Sequence, residues 1–334
     1  MQVIVITGST RGIGYGLADS FLALGCAVTV SGRTPEAVEK AVAELSAKHT
    51  AERVFGQPCD VTDFEQVQAL WDAAHVHFGK IDIWVNNAGL GHSQMDFWRI
   101  PAEQIQAVVS ANVIGAMYGA KVALCGMLEQ GFGSIYSLEG LGSDGRKVEG
   151  MTLYGTTKAA LYYLDESLAR ETKGTPVLVG ALRPGMVLTD LVMKQYEDHP
   201  EELEKVKRIF NLITDRVETV TPWLARKMLA NDKNGACISW LPWSASETCS
   251  SNQKKLYNTG VYHGDNSKER KENSDHQPRK TDGAHRGADQ PHGQKAAGRR
   301  PGRRRPGDHS QRGPGPGRGG RGRPGRQRRR GRCG

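Results

Sequence analysis

The chain has 334 residues and a formal net charge of +9, with 38% hydrophobic and 24% charged residues. The charge is unevenly spread: residues 1–243 carry 22 Lys and Arg against 28 Asp and Glu, and residues 244–334 carry 23 against 8. A mildly acidic part long enough to bury a full core therefore precedes a basic tail, and the overall positive charge describes the tail alone.

Cysteines 26, 59, 125, 237, 249 and 333 show neither a C-x-x-C pair nor zinc-ligand spacing, so no metal site is expected. The chain opens on a strand-like run without a basic leader, and no apolar stretch approaches the ~18 residues of a membrane span. A soluble, cytoplasmic protein is the expectation.

Gln2–Ile6 (QVIVI) reads as a buried strand. It runs into Thr7-Gly8-Ser9-Thr10-Arg11-Gly12-Ile13-Gly14, followed by an amphipathic helix from about Ile13 to Leu24. Strand, glycine turn and helix form a phosphate-binding element. The glycines allow close backbone approach, and the helix start supplies N–H donors and a positive dipole end. The second strand, Ala27–Val30, ends in Ser31-Gly32-Arg33. An NAD site usually carries an acid near there for the ribose 2′-hydroxyl. None is present, and Arg11 and Arg33 offer two cations to a 2′-phosphate, which favours NADP(H) over NAD(H). The plainer alternative is that Arg33 solvates a loop.

Helix Pro35–Lys48, strand Arg53–Gln57 and Cys59-Asp60-Val61 follow. Asp60, at a strand end, suits an adenine amino group or a helix cap, with Thr62 and Asp63 as rival caps. Helix Phe64–Phe78 leads to strand Ile81–Val85 and to Asn86-Asn87-Ala88-Gly89, small and carboxamide residues suited to packing on a flat ligand. A helix from Ala102 to about Ala111 meets Asn112 and continues to Met127. Asn is disfavoured inside a helix because it competes for backbone groups, so Asn112 marks a break or holds a water.

Strand Ser134–Leu138 precedes a glycine-rich loop, Glu139–Gly145, and then a helix carrying Tyr154 and Lys158. Four positions apart, these two share a helical face. An ammonium beside a phenol favours the phenolate, so the tyrosine is expected below its ordinary pKa of about 10, fit to exchange a proton near neutrality. Strand Pro176–Leu182 gives way to Arg183-Pro184-Gly185-Met186-Val187-Leu188-Thr189. A charged helix over Asp190–Thr214, a helix over Pro222–Ala230 and a last strand, Ala236–Trp240, complete the pattern. Alternation of strands and helices implies an α/β fold with a doubly wound, mostly parallel seven-stranded sheet of Rossmann type. The ligand crevice then lies at the carboxyl ends of the strands, where every glycine and Asn loop falls.

These motifs resemble the short-chain dehydrogenase/reductase family: T-G-x-x-x-G-I-G at Thr7–Gly14, N-N-A-G at Asn86–Gly89, Asn112, Y-x-x-x-K at Tyr154/Lys158 and P-G at Pro184-Gly185. The likeness covers residues 1 to about 243, and the loop Gly140–Arg146 with D-I-W-V-N-N-A-G and P-G-M-V-x-T-D-L resembles the chlorophyll b reductase branch and its bacterial relatives. It implies Tyr154 as catalytic acid/base, Lys158 as the group that lowers its pKa and holds a ribose, and Asn112 as the anchor of a water. It places Gly8 to Gly14, Arg33, Asp60, Val61 and Asn87-Ala88-Gly89 along the dinucleotide, with Pro184, Gly185, Val187 and Thr189 on the nicotinamide side. It also implies dimers or tetramers acting on a small carbonyl or alcohol. One departure stands out. The family places a Ser at the end of the fifth strand, and here Gly140 takes that position, after Glu139. Ser143 is the nearest hydroxyl that the loop could bring in, or a plain turn serine.

The leading expectation is thus an NADPH-dependent carbonyl reductase. The alternatives are a non-catalytic, redox-sensing NADP-binding scaffold and an enzyme with an RNA-binding tail. From His263 onward there is no Val, Ile, Leu, Met, Phe, Tyr or Trp, so a disordered tail is expected after a transition from Ser244 to Tyr262. Its Arg, Gly and Pro content is also what GC-rich codons yield in a shifted reading frame. Nucleic acid is a partner only through this tail, and no aromatic there offers stacking.

Overall fold

A computed structural model of the protein describes residues 1–189 and 214–240. The charged helix expected over 190–214 lies outside these residues except for Thr214, as does the basic tail.

The main sheet is built from β1 (Val3–Ile6), β2 (Ala27–Gly32), β3 (Val54–Pro58), β4 (Ile83–Asn86), β5 (Gly133–Leu138), β6 (Val177–Arg183) and the late strand β9 (Ala236–Ser239). Their order across the sheet is β3-β2-β1-β4-β5-β6-β9, all neighbours parallel. Chain order reverses between β1 and β4, the switch point at which such sheets open a crevice at their carboxyl ends. A second, two-stranded ladder pairs β7 (Met186–Leu188) with β8 (Thr214–Arg216), an element the sequence pattern did not indicate.

Period-two alternation sorts β1 between two cores. Ile4 and Ile6 join Leu17, Phe21 and Leu224 on one face, and Val5 joins Trp84, Met127 and Ile135 on the other. Leu17 and Phe21 belong to α1 (Gly12–Ala23) and are fully buried, each stabilising the fold by about 1.5–3 kcal/mol relative to exposure. The helices α2 (Pro35–Lys48) and α3 (Phe64–Phe78) have the expected bounds. Thr34 caps the first through the Ala37 amide, and Asp63 caps the second through Glu65 and Gln66. That settles the rivalry among Asp60, Thr62 and Asp63 in favour of Asp63. Asp60 instead accepts from the amide and hydroxyl of Thr62, turning the chain before the helix.

The helices α4 (Ala102–Val109) and α5 (Gly115–Gln130) are joined by a wide turn of π type, Ser110–Ile114, so Asn112 does mark a break in regular winding. The whole run, Ala102–Gln130, is 29 residues long and apolar enough by length and composition to cross a membrane, contrary to the sequence expectation. Ala123 and Met127 of this run pack with Trp84 and Ile135 of the sheet, so its apolar character is that of a core helix. After α6 (Thr152–Glu171) comes α7 (Val217–Leu229), which starts five residues before the expected Pro222. Burial of Val220 and Thr221 holds the first turns in helical form and leaves Pro222 inside the helix.

Candidate active site

The glycine turn after β1 is pinned by Thr7, whose side chain contacts three backbone groups. Its hydroxyl donates to Val85 O at 3.3 Å and accepts from the amides of Asn87 and Ala88, both at 3.0 Å. The Asn87 carboxamide answers by donating to Thr7 O and Gly8 O at 2.8 and 2.9 Å. The turn after β1 and the N-N-A-G loop after β4 are thus one rigid unit. Gly8 sits at φ +63°, and a Cβ there would lie 2.8 Å from Ala88 Cα; a Cβ on Gly14 would lie 2.4 Å from Asn87 Nδ2. Only glycine allows this approach.

At the start of α1, Arg11 occupies the cap position without a side-chain cap bond, and no acidic residue lies in the first turn. The first amides and the positive dipole end therefore face outward for an anion, with Ile13 packed on the core behind them. Ser9 joins this turn to the end of β2. Its amide donates to Ser31 O at 2.8 Å, and its hydroxyl accepts from the Ser31 amide at 2.9 Å. Thr10 covers Gly32, where a Cβ would lie 2.6 Å from the Thr10 methyl carbon. Arg11 and Arg33 thus stand on two loops in contact, both exposed. Val61 is buried against Gly115 at the foot of α5, and Asp60 is half-buried beside it. Across the cleft, Pro184 and Val187 are buried, and the Thr189 methyl lies 3.7 Å from the position a Gly12 Cβ would take.

The catalytic end is organised by Asn112. Its Oδ1 accepts from the Leu90 amide at 2.7 Å, and its Nδ2 donates to Leu90 O at 2.9 Å and to the Thr157 hydroxyl at 3.0 Å. One carboxamide thereby holds the loop beyond Gly89 against α6, one turn from Tyr154. Sequence reasoning overlooked His92 on that loop. The Tyr154 amide donates to His92 Nε2 at 3.2 Å, so the ring proton sits on Nδ1, which donates to Ser93 O at 2.7 Å. A ring nitrogen thus serves as a remote cap for the first turn of α6.

Lys158 is 4% exposed and donates from Nζ to Leu138 O at 2.7 Å, with Nζ 5.7 Å from the centre of the Tyr154 ring. The expected direction of the tyrosine shift is not what the fold produces. Enclosure pushes the Tyr154 phenol up to about 12, and burial pushes the Lys158 ammonium down to about 8, opposed by Glu139 and Asp165. Desolvation of each group outweighs their attraction, since the ammonium is directed at a carbonyl rather than at the phenol.

Gly140 lies directly against the phenol: a Cβ there would be 2.9 Å from Tyr154 Oη. Ser143 is 4% exposed, and its hydroxyl donates to Gly140 O at 2.7 Å, closing the loop as a turn serine does. Glu139 is fully enclosed and accepts from Arg183 Nε at 2.5 Å, tying the ends of β5 and β6 together. Burial raises the Glu139 carboxyl above its ordinary range, countered by Arg183. Asp165, on α6, accepts from the Ser137 hydroxyl at 2.7 Å. Neither Arg183 nor Asp165 was singled out from sequence. The signal for Asp165 was an acid at the helical spacing that continues Lys158 and Leu161 along the buried face of α6.

Among the described residues no cluster of His, Cys, Asp and Glu could hold a metal ion. The helix start and the Tyr154/Lys158 pair thus both sit beyond the carboxyl ends of the parallel strands, linked through Asn87 to the glycine turn and through Leu90 and Asn112 to α6.

The family model described as short chain dehydrogenase matches residues 2–200. A probable chlorophyll(ide) b reductase NYC1, chloroplastic, of Oryza sativa subsp. japonica is 34% identical over 254 residues, covering 71% of this chain and 49% of that protein. The chlorophyll(ide) b reductase NOL, chloroplastic, of the same plant is 35% identical over 236 residues, covering 69% of this chain and 67% of that one. The chain thus spans about half the length of the first relative and two thirds of the second. Among solved structures, ElxO with NADP bound superposes with a TM-score of 0.63 at 25% identity, over 71% of this chain and 96% of that one.

Proposed function

The chain belongs to the short-chain dehydrogenase family and is an NAD(P)-dependent oxidoreductase of the carbonyl-reducing kind; from that premise we propose that it is an NADPH-dependent carbonyl reductase in which Tyr154 supplies the proton. The observation that carries this reading is the Tyr154 phenol set against Gly140, with the buried Lys158 beside it, at the same carboxyl edge of the sheet as the glycine turn and the start of α1.

The residues present fit a dinucleotide phosphate. The outward amides of α1 and the close backbone approach at Gly8 and Gly14 suit a pyrophosphate, and Arg11 and Arg33 suit a 2′-phosphate where the usual acid is missing. Asn87, Ala88, Gly89, Asp60 and Val61 would line the adenine side, and Pro184, Gly185, Val187 and Thr189 the nicotinamide side. When bound, the reduced nicotinamide supplies a hydride.

The chain's own contribution is to hold a proton at one atom. Tyr154 Oη, kept neutral by enclosure, donates to the carbonyl oxygen as negative charge builds there. Lys158 Nζ lies 5.7 Å from the centre of the Tyr154 ring, and its lowered pKa makes it a readier proton source for the phenolate than an exposed lysine. Asn112 holds the α6 turn and the loop beyond Gly89 in register, so the phenol keeps its place. The relatives' names make a formyl-bearing chlorin one candidate substrate among aldehydes and ketones.

The experiment is NADPH and NADH oxidation against a panel of aldehydes, ketones and formyl-chlorins, with the native chain and Tyr154→Phe. Turnover that disappears in the variant while cofactor affinity stays intact supports the reading. Full activity in the variant sinks the proton-donor role, and cofactor binding without turnover on any substrate favours the scaffold alternative, which Gly140's missing hydroxyl motivates.

A further inference from the structure

Helix α6 begins without a cap of its own. Met151 stands at the cap position and makes no side-chain cap bond, and no acidic residue lies in the first turn. A Ser, Thr, Asp or Asn at that position would ordinarily accept from the amide two or three residues on. The third amide is that of Tyr154, and it donates instead to His92 Nε2, 62 residues away, at 3.2 Å. His92 Nδ1 donates to Ser93 O at 2.7 Å, so both ring nitrogens are engaged and the ring, 7% exposed, is held in one orientation.

The segment that carries His92 is itself pinned to the approach of α6. Gln94 Nε2 donates to Glu149 O at 2.7 Å, and the Met95 amide donates to Gly150 O at 3.2 Å. Gly150 permits that approach: it sits at φ +76°, and a Cβ on it would lie 2.5 Å from Gln94 Cγ and 3.0 Å from the Met95 amide nitrogen. On the apolar side, Ile100, Val108 and Leu153 form a small core against which Leu90 and Met95 pack. Leu90 and Met95 bracket His92 in the chain, and Leu153 precedes Tyr154. At the phenol, by contrast, the family's serine position holds Gly140, which offers no hydroxyl. The place of Tyr154 Oη therefore depends on how firmly its own helical turn is held.

We infer that His92 is a positioning residue for the reaction: it replaces the missing cap of α6 and sets where the Tyr154 phenol stands. The inference rests on the reading of Tyr154 as proton donor, and His92 acts through the Tyr154 backbone rather than on the substrate. Asn112 does not duplicate this role, because its contact with α6 is the Thr157 hydroxyl, nearly a turn further on. Nor does packing alone explain the ring. Nε2 must be without a proton to accept from an amide, and only one of the two neutral tautomers satisfies both Tyr154 and Ser93. A carboxamide can imitate half of that arrangement at a time. Glutamine places an oxygen near Nε2 and keeps the acceptor for Tyr154, whereas asparagine reaches only as far as Nδ1 and keeps the donor for Ser93 O.

The test compares His92→Gln, His92→Asn and His92→Leu in the full chain. Nitrogen-15 NMR of the native imidazole at mildly alkaline pH should show the proton on Nδ1 and a bare Nε2; a proton on Nε2 overturns the inference. The ring resonances of Tyr154, identified by their loss in Tyr154→Phe, should move in His92→Leu and His92→Asn and stay near native in His92→Gln. Resonances unmoved in His92→Leu overturn the inference as well. With a substrate from the panel, kcat should fall about tenfold in His92→Leu and His92→Asn, the scale expected when a reacting atom is displaced by part of an ångström. The KM for NADPH should stay unmoved, and His92→Gln should recover most of the loss. Equal losses in His92→Gln and His92→Asn would reduce His92 to packing. The NMR outcomes need no substrate, so failure of the carbonyl-reductase reading and failure of the positioning role are read separately. If His92→Leu does not fold, the two carboxamides decide: Tyr154 resonances alike in both overturn the inference.

Discussion

Gly140→Ala isolates the departure that separates this chain from the family pattern. An added Cβ would lie 2.9 Å from Tyr154 Oη, but 3.5 and 3.6 Å from Cγ and Cε of Lys158. It therefore overlaps the phenol by about half an ångström and meets the lysine at ordinary contact distance. Gly140 is not among the glycines with positive φ, so an alanine backbone is accommodated. The overlap falls on the far end of a side chain, which can swing aside at about 0.5–1.5 kcal/mol. Stability in urea should accordingly fall by no more than about 1.5 kcal/mol, and NADPH affinity should be unchanged. Turnover should drop by about 10- to 100-fold, because the reacting oxygen is displaced by a sizeable part of the ångström to which such rates are sensitive. Gly140→Ser should recover part of that loss by adding a hydroxyl beside the phenol. An unchanged rate in Gly140→Ala would refute the placement of the phenol as proton donor. A stability loss above about 3 kcal/mol would show that the overlap is not relieved by the phenol at all.

Two further predictions test the cofactor end and the buried acid. Arg33→Asp should weaken NADPH by about 1–3 kcal/mol while leaving NADH nearly unaffected, as judged by fluorescence titration of both; an equal loss for both would reduce Arg33 to a loop residue. The raised Asp165 pKa makes a stability prediction with a defined sign. Between an unfolded value of 3.8 and a folded value of about 8, the unfolded chain ionises first, so the native state loses stability as pH rises across that window. The full effect is about 6 kcal/mol as an upper bound, about four units worth about 1.4 kcal/mol each. Asp165→Asn lacks this slope, so its stability relative to the native chain should increase from about pH 4 to about pH 8 in denaturant titrations. Parallel curves would refute the shift.

The parallel sheet was legible because hydrophobic runs, glycine turns and caps are local signals. Pro35–Lys48 and Phe64–Phe78 emerged with the expected bounds, where Thr34 and Asp63 cap and Gly79 terminates the second. Pro222 misled because its usual place is a first helical turn, whereas burial of Val220 and Thr221 carries the helix back to Val217. The β7–β8 ladder was invisible for a different reason: strands of three residues carry too little pattern to stand out.

At the site, residue types were legible and their energetic roles were not. Spacing placed Tyr154 and Lys158 on one helical face, and that much the fold reproduces. The sign of the phenol's shift depends on groups remote in sequence: Leu138 O, which takes the ammonium's hydrogen bond, and Gly140, which closes on the phenol. A pairwise rule along a helix sees the attraction between the two side chains but not the solvent that each has lost. The same limit hid His92, whose capping bond spans 62 residues, and Arg183, which lies 44 residues from Glu139. Asp165 is the contrary case. An acid seven positions beyond a functional lysine, in a stripe otherwise filled by Leu161, is a local signal that a helical reading detects. Such a residue either exposes the stripe or enters the core with a proton or a partner, and here Ser137 satisfies only one of its two oxygens. The unanswered oxygen is what turns a packing oddity into a chemical question.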